Sequence, residues 1–159
     1  MENKKALIVV DMQEDYIGQN SRYHYYPNCL VDKVNKRIVS ADKDGILVIY
    51  VKNKSKRNKE IYVSDFAKEL VIVSNYWIEK DRASVFADDT LIELLKNKGI
   101  TKIELIGIDG NCCVASSALE ASKLGFLVVC PLEYIGIKDR SRFLRTKEKL
   151  LSCNIEVVE

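Results

Sequence analysis

Histidine, tryptophan, proline and long apolar runs are scarce in this chain, and each scarcity excludes something. A single histidine, His24, leaves no imidazole cluster from which to build a three-ligand metal centre. No apolar run approaches the roughly 20 residues that cross a bilayer as a helix. Met1 to Lys5 leads directly into an apolar strand, so no signal peptide is read there. Net charge is only +2, which gives no electrostatic case for nucleic acid or an anionic membrane as partner. The basic stretch Lys52–Lys59 is read as a solvated loop in preference to an anion site. Internal repeats, low-complexity tracts and linkers are absent. Neither a G-x-G-x-x-G nor a P-loop pattern is present, so a nucleotide-binding domain ranks last among the functional classes. The five cysteines (Cys29, Cys112, Cys113, Cys130, Cys153) are odd in number and lack framework spacing, which fits a reducing cytoplasm.

What remains is an ordinary globular balance, with 47% apolar and 30% charged residues in 159. That length suits one domain, residues 1–159, with a full core. Ala6–Val10 is a continuous apolar run, typical of a strand buried on both faces. Val31, Val34, Ile38 and Val39 have helical spacing, ended by Asp44-Gly45. Ile46–Val51 forms a second strand, residues 52–68 a loop or short helical excursion, and 71–79 a less regular third strand. Thr90 caps a helix carrying Leu91, Leu94 and Leu95, closed by Gly99. Strand four (102–106), a helix from Cys113 to Leu124, strand five (126–130), a helix over 141–152 with Phe143, Leu144, Leu150 and Leu151, and strand six (155–158) follow. Strict alternation predicts an α/β, three-layer α-β-α domain with a six-stranded, mostly parallel sheet. With strand order 3-2-1-4-5-6, ligands bind where strands one and four separate, beyond the carboxyl ends of the strands.

That rule selects the polar residues that matter. Asp11 follows strand one, Lys80 ends strand three, and the Asp109–Cys113 turn follows strand four. A thiol at a helix N-terminus feels the positive end of the macrodipole, which is a nucleophile's position. A buried structural cysteine is the competing reading from this stretch alone.

Three segments together resemble a known family. Leu7–Tyr16 (LIVVDMQEDY) is similar to the opening motif of the isochorismatase-like cysteine hydrolases, which include nicotinamidases and N-carbamoylsarcosine amidase. Lys80–Phe86 (KDRASVF) resembles their lysine segment. Gly107–Val114 (GIDGNCCV), followed by Ser117–Ala121 and Gly125, resembles their nucleophile segment. The likeness runs from about residue 5 to 131, with the motifs in order. It implies Cys113 as nucleophile, Asp11 as general base and Lys80 as third member of a triad. It also implies a cis peptide between Ile108 and Asp109, and an oxyanion hole made by the backbone N–H groups of Asp109 and Cys113.

An unperturbed aspartate is a poor base for a thiol, since transfer is uphill by roughly 6 kcal/mol. Burial raising the Asp11 pKa, with Lys80 and the helix N-terminus lowering that of Cys113, would bring the two together. Each residue also has a plain structural reading. Asp11 could cap a turn, Lys80 could lie on the surface, and Cys112 is expected to pack rather than react. Gln13, Tyr16, Trp77 and Asp109 are the candidate substrate contacts. Asp109 stands, with Gly110, where many relatives have a small residue and threonine. Its carboxylate either faces the pocket, favouring a cationic or hydrogen-bond-donating substrate, or braces the loop. Nicotinamidases carry an Asp-x-His segment with a further histidine for metal, and here strand two runs out as Tyr50-Val51-Lys52-Asn53. No metal and no cofactor are therefore expected, and nicotinamidase activity is disfavoured. The cysteine at 113 argues against isochorismatase proper. Tyr23, Tyr25 and Tyr26 surround His24 and wall either a pocket or a subunit interface, with His24 read as a surface or interface residue. The expected protein is a metal-independent cysteine hydrolase of a small amide-type C–N bond, homo-oligomeric. The alternative is a non-catalytic relative serving as a binding or assembly module.

Overall fold

The computed structural model describes residues 3–159. In chain order its elements are β1 (Lys5–Val10), α1 (Glu14–Ile17), α2 (Leu30–Lys43), β2 (Leu47–Asn53), β3 (Ser55–Arg57), β4 (Glu60–Tyr62) and β5 (Trp77–Lys80). There follow α3 (Thr90–Asn97), β6 (Lys102–Ile108), α4 (Cys113–Lys123), β7 (Leu127–Pro131), β8 (Ile135–Gly136), α5 (Arg140–Ser152) and β9 (Glu156–Val158), with a 3₁₀ turn at Leu132–Tyr134. The main sheet runs β5-β2-β1-β6-β7-β9, all parallel, with the short β8 paired to β6. This is the 3-2-1-4-5-6 order expected from the sequence. No helix among the described residues is long and apolar enough to cross a membrane.

β1 explains the layering. Ala6, Ile8 and Val10 point into one core, and Leu7 and Val9 into the other, all at most 1% exposed. Alternation of side chains along a strand buries both faces. The first core packs beneath α3, α4 and α5 through Leu91, Leu95, Ala118, Ala121, Phe143 and Leu150. The second packs beneath α2 through Leu30, Val34, Ile38 and Ala41. Each buried aliphatic side chain contributes about 1.5–3 kcal/mol relative to exposure.

Local details depart from the sequence reading. The third strand shrinks to Trp77–Lys80, because residues 71–76 are held otherwise: Tyr50 Oη donates to Val71 O and accepts from Val73 N–H. The 52–68 stretch contains the β3–β4 hairpin rather than a helical excursion. Asp89, not Thr90, is the N-cap of α3, and the Thr90 N–H donates to Asp88 Oδ1. On α5 only Phe143 and Leu150 are buried; Leu144 and Leu151 face outward. β8 is a further strand. β7 pairs with β6 only at Lys102–Glu104, and β8 takes over opposite Gly107 and Ile108. The sheet thus splits beside the carboxyl end of β6, where a crevice is expected.

Candidate active site

Asp11 leaves β1 with a φ of +55°, an unusual value for a residue with a side chain, of the kind concentrated at functional sites. Its N–H donates to Val51 O at 3.0 Å, so the turn stays anchored to β2. Lys80 closes β5 directly opposite Asn53 at the end of β2, and side chains of opposed residues share a face. The Lys80 Nζ donates to Asn53 Oδ1 at 3.0 Å and to Cys113 Sγ at 3.3 Å, and lies 3.2 Å from Asp11 Oδ2. Asp11 and Lys80 are each only 3% exposed. Asp11 Oδ1 is buried with no hydrogen-bond partner.

Cys113 is the first residue of α4. One turn on, the Ser117 hydroxyl donates to Cys113 O at 2.5 Å and accepts from Val85 N–H at 3.0 Å, tying the Lys80–Phe86 segment to the helix. Gly107 takes φ +109°, and a Cβ there would lie 2.2 Å from Val10 O, so only glycine lets β6 pass β1 at this point. The Ile108–Asp109 peptide is cis. Asp109 O accepts from the Cys112 and Val114 N–H groups, at 3.0 and 3.1 Å. The N–H groups of Asp109 and Cys113 have no acceptor among the described residues and remain available as donors.

Burial is the dominant electrostatic influence. It raises the Asp11 pKa, against the opposing pull of Lys80. It also pushes the Cys113 thiol up to about 12, aided by the Asp11 charge and resisted by Lys80. Lys80 pulls the thiol down, as the sequence reading expected, but burial and the Asp11 charge outweigh that pull and the net shift is upward. Enclosure of the sulfur beside a carboxylate outweighs one ammonium. Burial thus favours the protonated thiol, beside an open carboxylate oxygen of Asp11.

A cavity of about 360 Å³ opens over the sulfur, lined among others by Asp11, Tyr16, Tyr25, Asn53, Asp109 and Cys113. Of the candidate substrate contacts, Tyr16 and Asp109 border it. Gln13 does not: it is fully buried and spends its amide on Asn53 N–H and O and on Ser64. Trp77 is also outside the lining, half exposed on the edge strand beneath the Lys52 ammonium. Asp109 braces its loop, accepting from Tyr26 Oη, Asn111 N–H and Lys138 N–H at 3.1, 2.8 and 2.8 Å. Burial and this carboxylate push the Tyr26 phenol upward, so it stays a donor. Cys112, expected to pack, is exposed and borders the cavity. His24 lies in a neighbouring cavity of about 380 Å³ that shares Tyr23 and Tyr26 with the first. Sequence reasoning missed Asn53 and Lys138. The register of β2 against β5 was the signal for Asn53; nothing marked Lys138 before β8 was seen.

The Isochorismatase domain family matches residues 5–133. Many solved structures share the fold, among them the following three. An isochorismatase-like hydrolase from Alkaliphilus metalliredigens is 24% identical with TM-score 0.83, covering 98% of this chain and 92% of that one. A pyrazinamidase of Pyrococcus horikoshii in complex with zinc is 25% identical with TM-score 0.76, covering 98% and 99%. An N-carbamoylsarcosine amidase from Thermoplasma acidophilum is 21% identical with TM-score 0.82, covering 98% and 96%. No curated protein matches the chain.

Proposed function

The chain belongs to the isochorismatase family, and from that premise we propose that it is a hydrolase cleaving a small amide-type C–N bond through a thioester on Cys113. One observation carries the reading: a single buried ammonium joins Asp11, Asn53 and the Cys113 sulfur within 3.0–3.3 Å, while Asp11 Oδ1 is left open.

In the first half-reaction the Cys113 proton passes to Asp11 as sulfur bonds to the carbonyl carbon. Because the thiol is held up near 12, transfer accompanies attack and no standing thiolate precedes it. The Asp109 and Cys113 N–H groups receive the developing oxyanion. Collapse breaks the C–N bond, and the leaving nitrogen takes the proton from Asp11. Water then attacks the thioester, giving its proton to Asp11. The C–S bond breaks, the acid leaves, and the proton returns to sulfur. Lys80 pulls against the upward shift of Asp11 and so favours its ionised form, and Asn53 accepts from Lys80 and positions it.

The pyrazinamidase relative was solved with zinc. The donor set of this chain does not fit such an ion. The described residues contain no group of three or more His, Cys, Asp or Glu side chains able to hold a metal, and β2 ends in Lys52 and Asn53 beside Lys80. A mechanism without metal is the one these residues support.

The test is a screen of small amides and carbamoyl compounds for ammonia or amine release, with Cys113→Ala alongside. Turnover lost by at least about 10³-fold in the variant, with a substrate-derived mass adduct on Cys113 in the wild-type protein, is expected. Turnover that survives Cys113→Ala would overturn the thioester, and wild-type protein inert across the panel would favour the binding-module alternative.

A further inference from the structure

The cavity wall that holds Cys113 also includes Tyr23, Tyr25 and Lys138. Tyr25 stacks on Tyr23 with ring centres 5.3 Å apart and planes 10° apart, and Tyr26 meets Tyr25 edge-on. The Lys138 Nζ lies 3.7 Å from the centre of the Tyr25 ring. Its own backbone N–H is one of the three donors to Asp109, so the root of this side chain is fixed to the turn that carries Cys113. A cation resting on an aromatic face is held without using up its N–H donors.

The two carboxylates of the lining each have partners of their own. Asp11 is paired with Lys80. Asp109 accepts three hydrogen bonds and braces its loop. Lys138 forms no ion pair within 4.0 Å with any described carboxylate. Among the described residues it is the one cation in the lining, and it has no counter-charge. A cavity of about 360 Å³ is at the small end of ligand sites, so a ligand seated on Cys113 shares its walls with Lys138.

We propose that Lys138 is a specificity residue that binds a carboxylate on the substrate, making the substrate class a small monoamide that also carries a carboxylate. This inference rests on Cys113 as the nucleophile, because that fixes which end of the ligand holds the amide. The ammonium supplies a charge-assisted bond, and the Tyr25 ring beneath it helps place it. Lysine acts here as a point charge on a flexible stem, which tolerates several spacings between amide and carboxylate.

The test compares each monoamide of the straight-chain diacids from malonate to adipate with its neutral diamide, in wild-type, Lys138→Gln and Lys138→Arg proteins, with Lys36→Gln on the distant α2 as control. The expected result is a wild-type preference in kcat/KM of at least about ten-fold for the acid over the diamide, carried by KM. That preference collapses toward one in Lys138→Gln, is partly kept in Lys138→Arg and is unchanged in Lys36→Gln. An equal preference in wild-type and Lys138→Gln would overturn the proposal. A separate arm measures calorimetric binding of the corresponding dicarboxylates to wild-type and Lys138→Gln proteins, which needs no turnover. At least ten-fold weaker binding in the variant supports the anion subsite even if no amide is hydrolysed, in which case the hydrolase reading fails alone. Absence of Lys138-dependent binding across that series overturns the subsite.

Discussion

Asp11, just past the end of β1, and Glu104, on the neighbouring β6, are both buried carboxylates, 3% and 4% exposed, yet their surroundings move them in opposite directions. Glu104 sits in mid-β6. Arg37 from α2 grips it through Nε at 2.6 Å and Nη2 at 3.0 Å, and Lys5 adds a third contact at 2.8 Å. Burial alone would raise its pKa, but these cations outweigh burial and hold it below the usual carboxylate range. Asp11 has one cation, shared with a thiol and an amide, and one oxygen with no partner. There burial wins and the pKa rises. Complete satisfaction makes a structural ion pair; a buried polar atom left open calls for another explanation, and proton transfer is the one proposed here. The difference lies in how many donors the fold delivers, not in depth.

Exchanging each acid for its amide breaks this contrast most directly. Asp11→Asn removes the proposed base and should lower kcat by about 10²–10⁴-fold. Glu104→Gln should leave kcat within a few-fold and act on stability. Removing one member of a buried pair costs up to about 3–5 kcal/mol; Arg37 and Lys5 are partly exposed and can rehydrate, so about 2–3 kcal/mol is expected. In a domain of this size that lowers Tm by about 4–12 °C. Steady-state kinetics and thermal melts on the two proteins separate the cases. Loss of kcat in Glu104→Gln as large as in Asp11→Asn would erase the distinction.

The same comparison shows what was legible in the sequence. Strand order and the convergence of Asp11, Lys80 and Cys113 followed from the alternation of elements, because apolar runs and helix-ending glycines are local signals. The lysine segment and the nucleophile turn were readable as motifs. Polar satisfaction was not. Whether Gln13 faces a substrate or the interior depends on where the Asn53 and Ser64 backbones pass, 40 and 51 residues away in the chain. The direction of the thiol shift likewise depended on enclosure, which spacing does not encode. Trp77 looked close to Lys80 in sequence, but three residues along a strand span about 10 Å. Lys138 became visible only once β8 had brought its segment beside β6.

pH sharpens the contrast with smaller effects. The proposed base must be ionised, so activity falls as pH drops through the Asp11 value. Because that value is raised from 3.8, the acid limb of kcat/KM should lie above the range of an exposed aspartate. For stability the signs are opposite. Glu104 is depressed from 4.5, so it stabilises the fold above that pH and its contribution is lost as pH falls through its folded value. Asp11 is raised, so its ionisation opposes folding as pH climbs through its folded value, and acid relieves this. Melts from pH 3 to 8 should show the deficit of Glu104→Gln relative to wild type shrinking below about pH 4.5, with the acid limb of activity unmoved. A limb that shifts in Glu104→Gln would show that the two carboxylates titrate as one system.

The smallest effects come from trimming a third partner at each site. Asn53→Ala removes the 3.0 Å acceptor on Lys80 but leaves its contacts to Asp11 and Cys113. Lys5→Met removes one contact to Glu104 but leaves the two bonds from Arg37 and keeps the apolar stem. In both variants two of three partners survive, so neither buried charge is stranded. Lys80 with one restraint fewer samples positions away from the sulfur, and kcat should fall about three- to ten-fold with KM nearly unchanged. Glu104 is already fully held by Arg37, and Lys5 is partly exposed, so Lys5→Met should cost at most about 1 kcal/mol and leave kcat alone. The informative readout is the pattern across both proteins. A change in kcat without Tm for Asn53→Ala, and in Tm without kcat for Lys5→Met, keeps positioning and stability apart. If Asn53→Ala instead lowers Tm by several degrees and leaves kcat intact, Asn53 serves the β2–β5 edge and does not position Lys80.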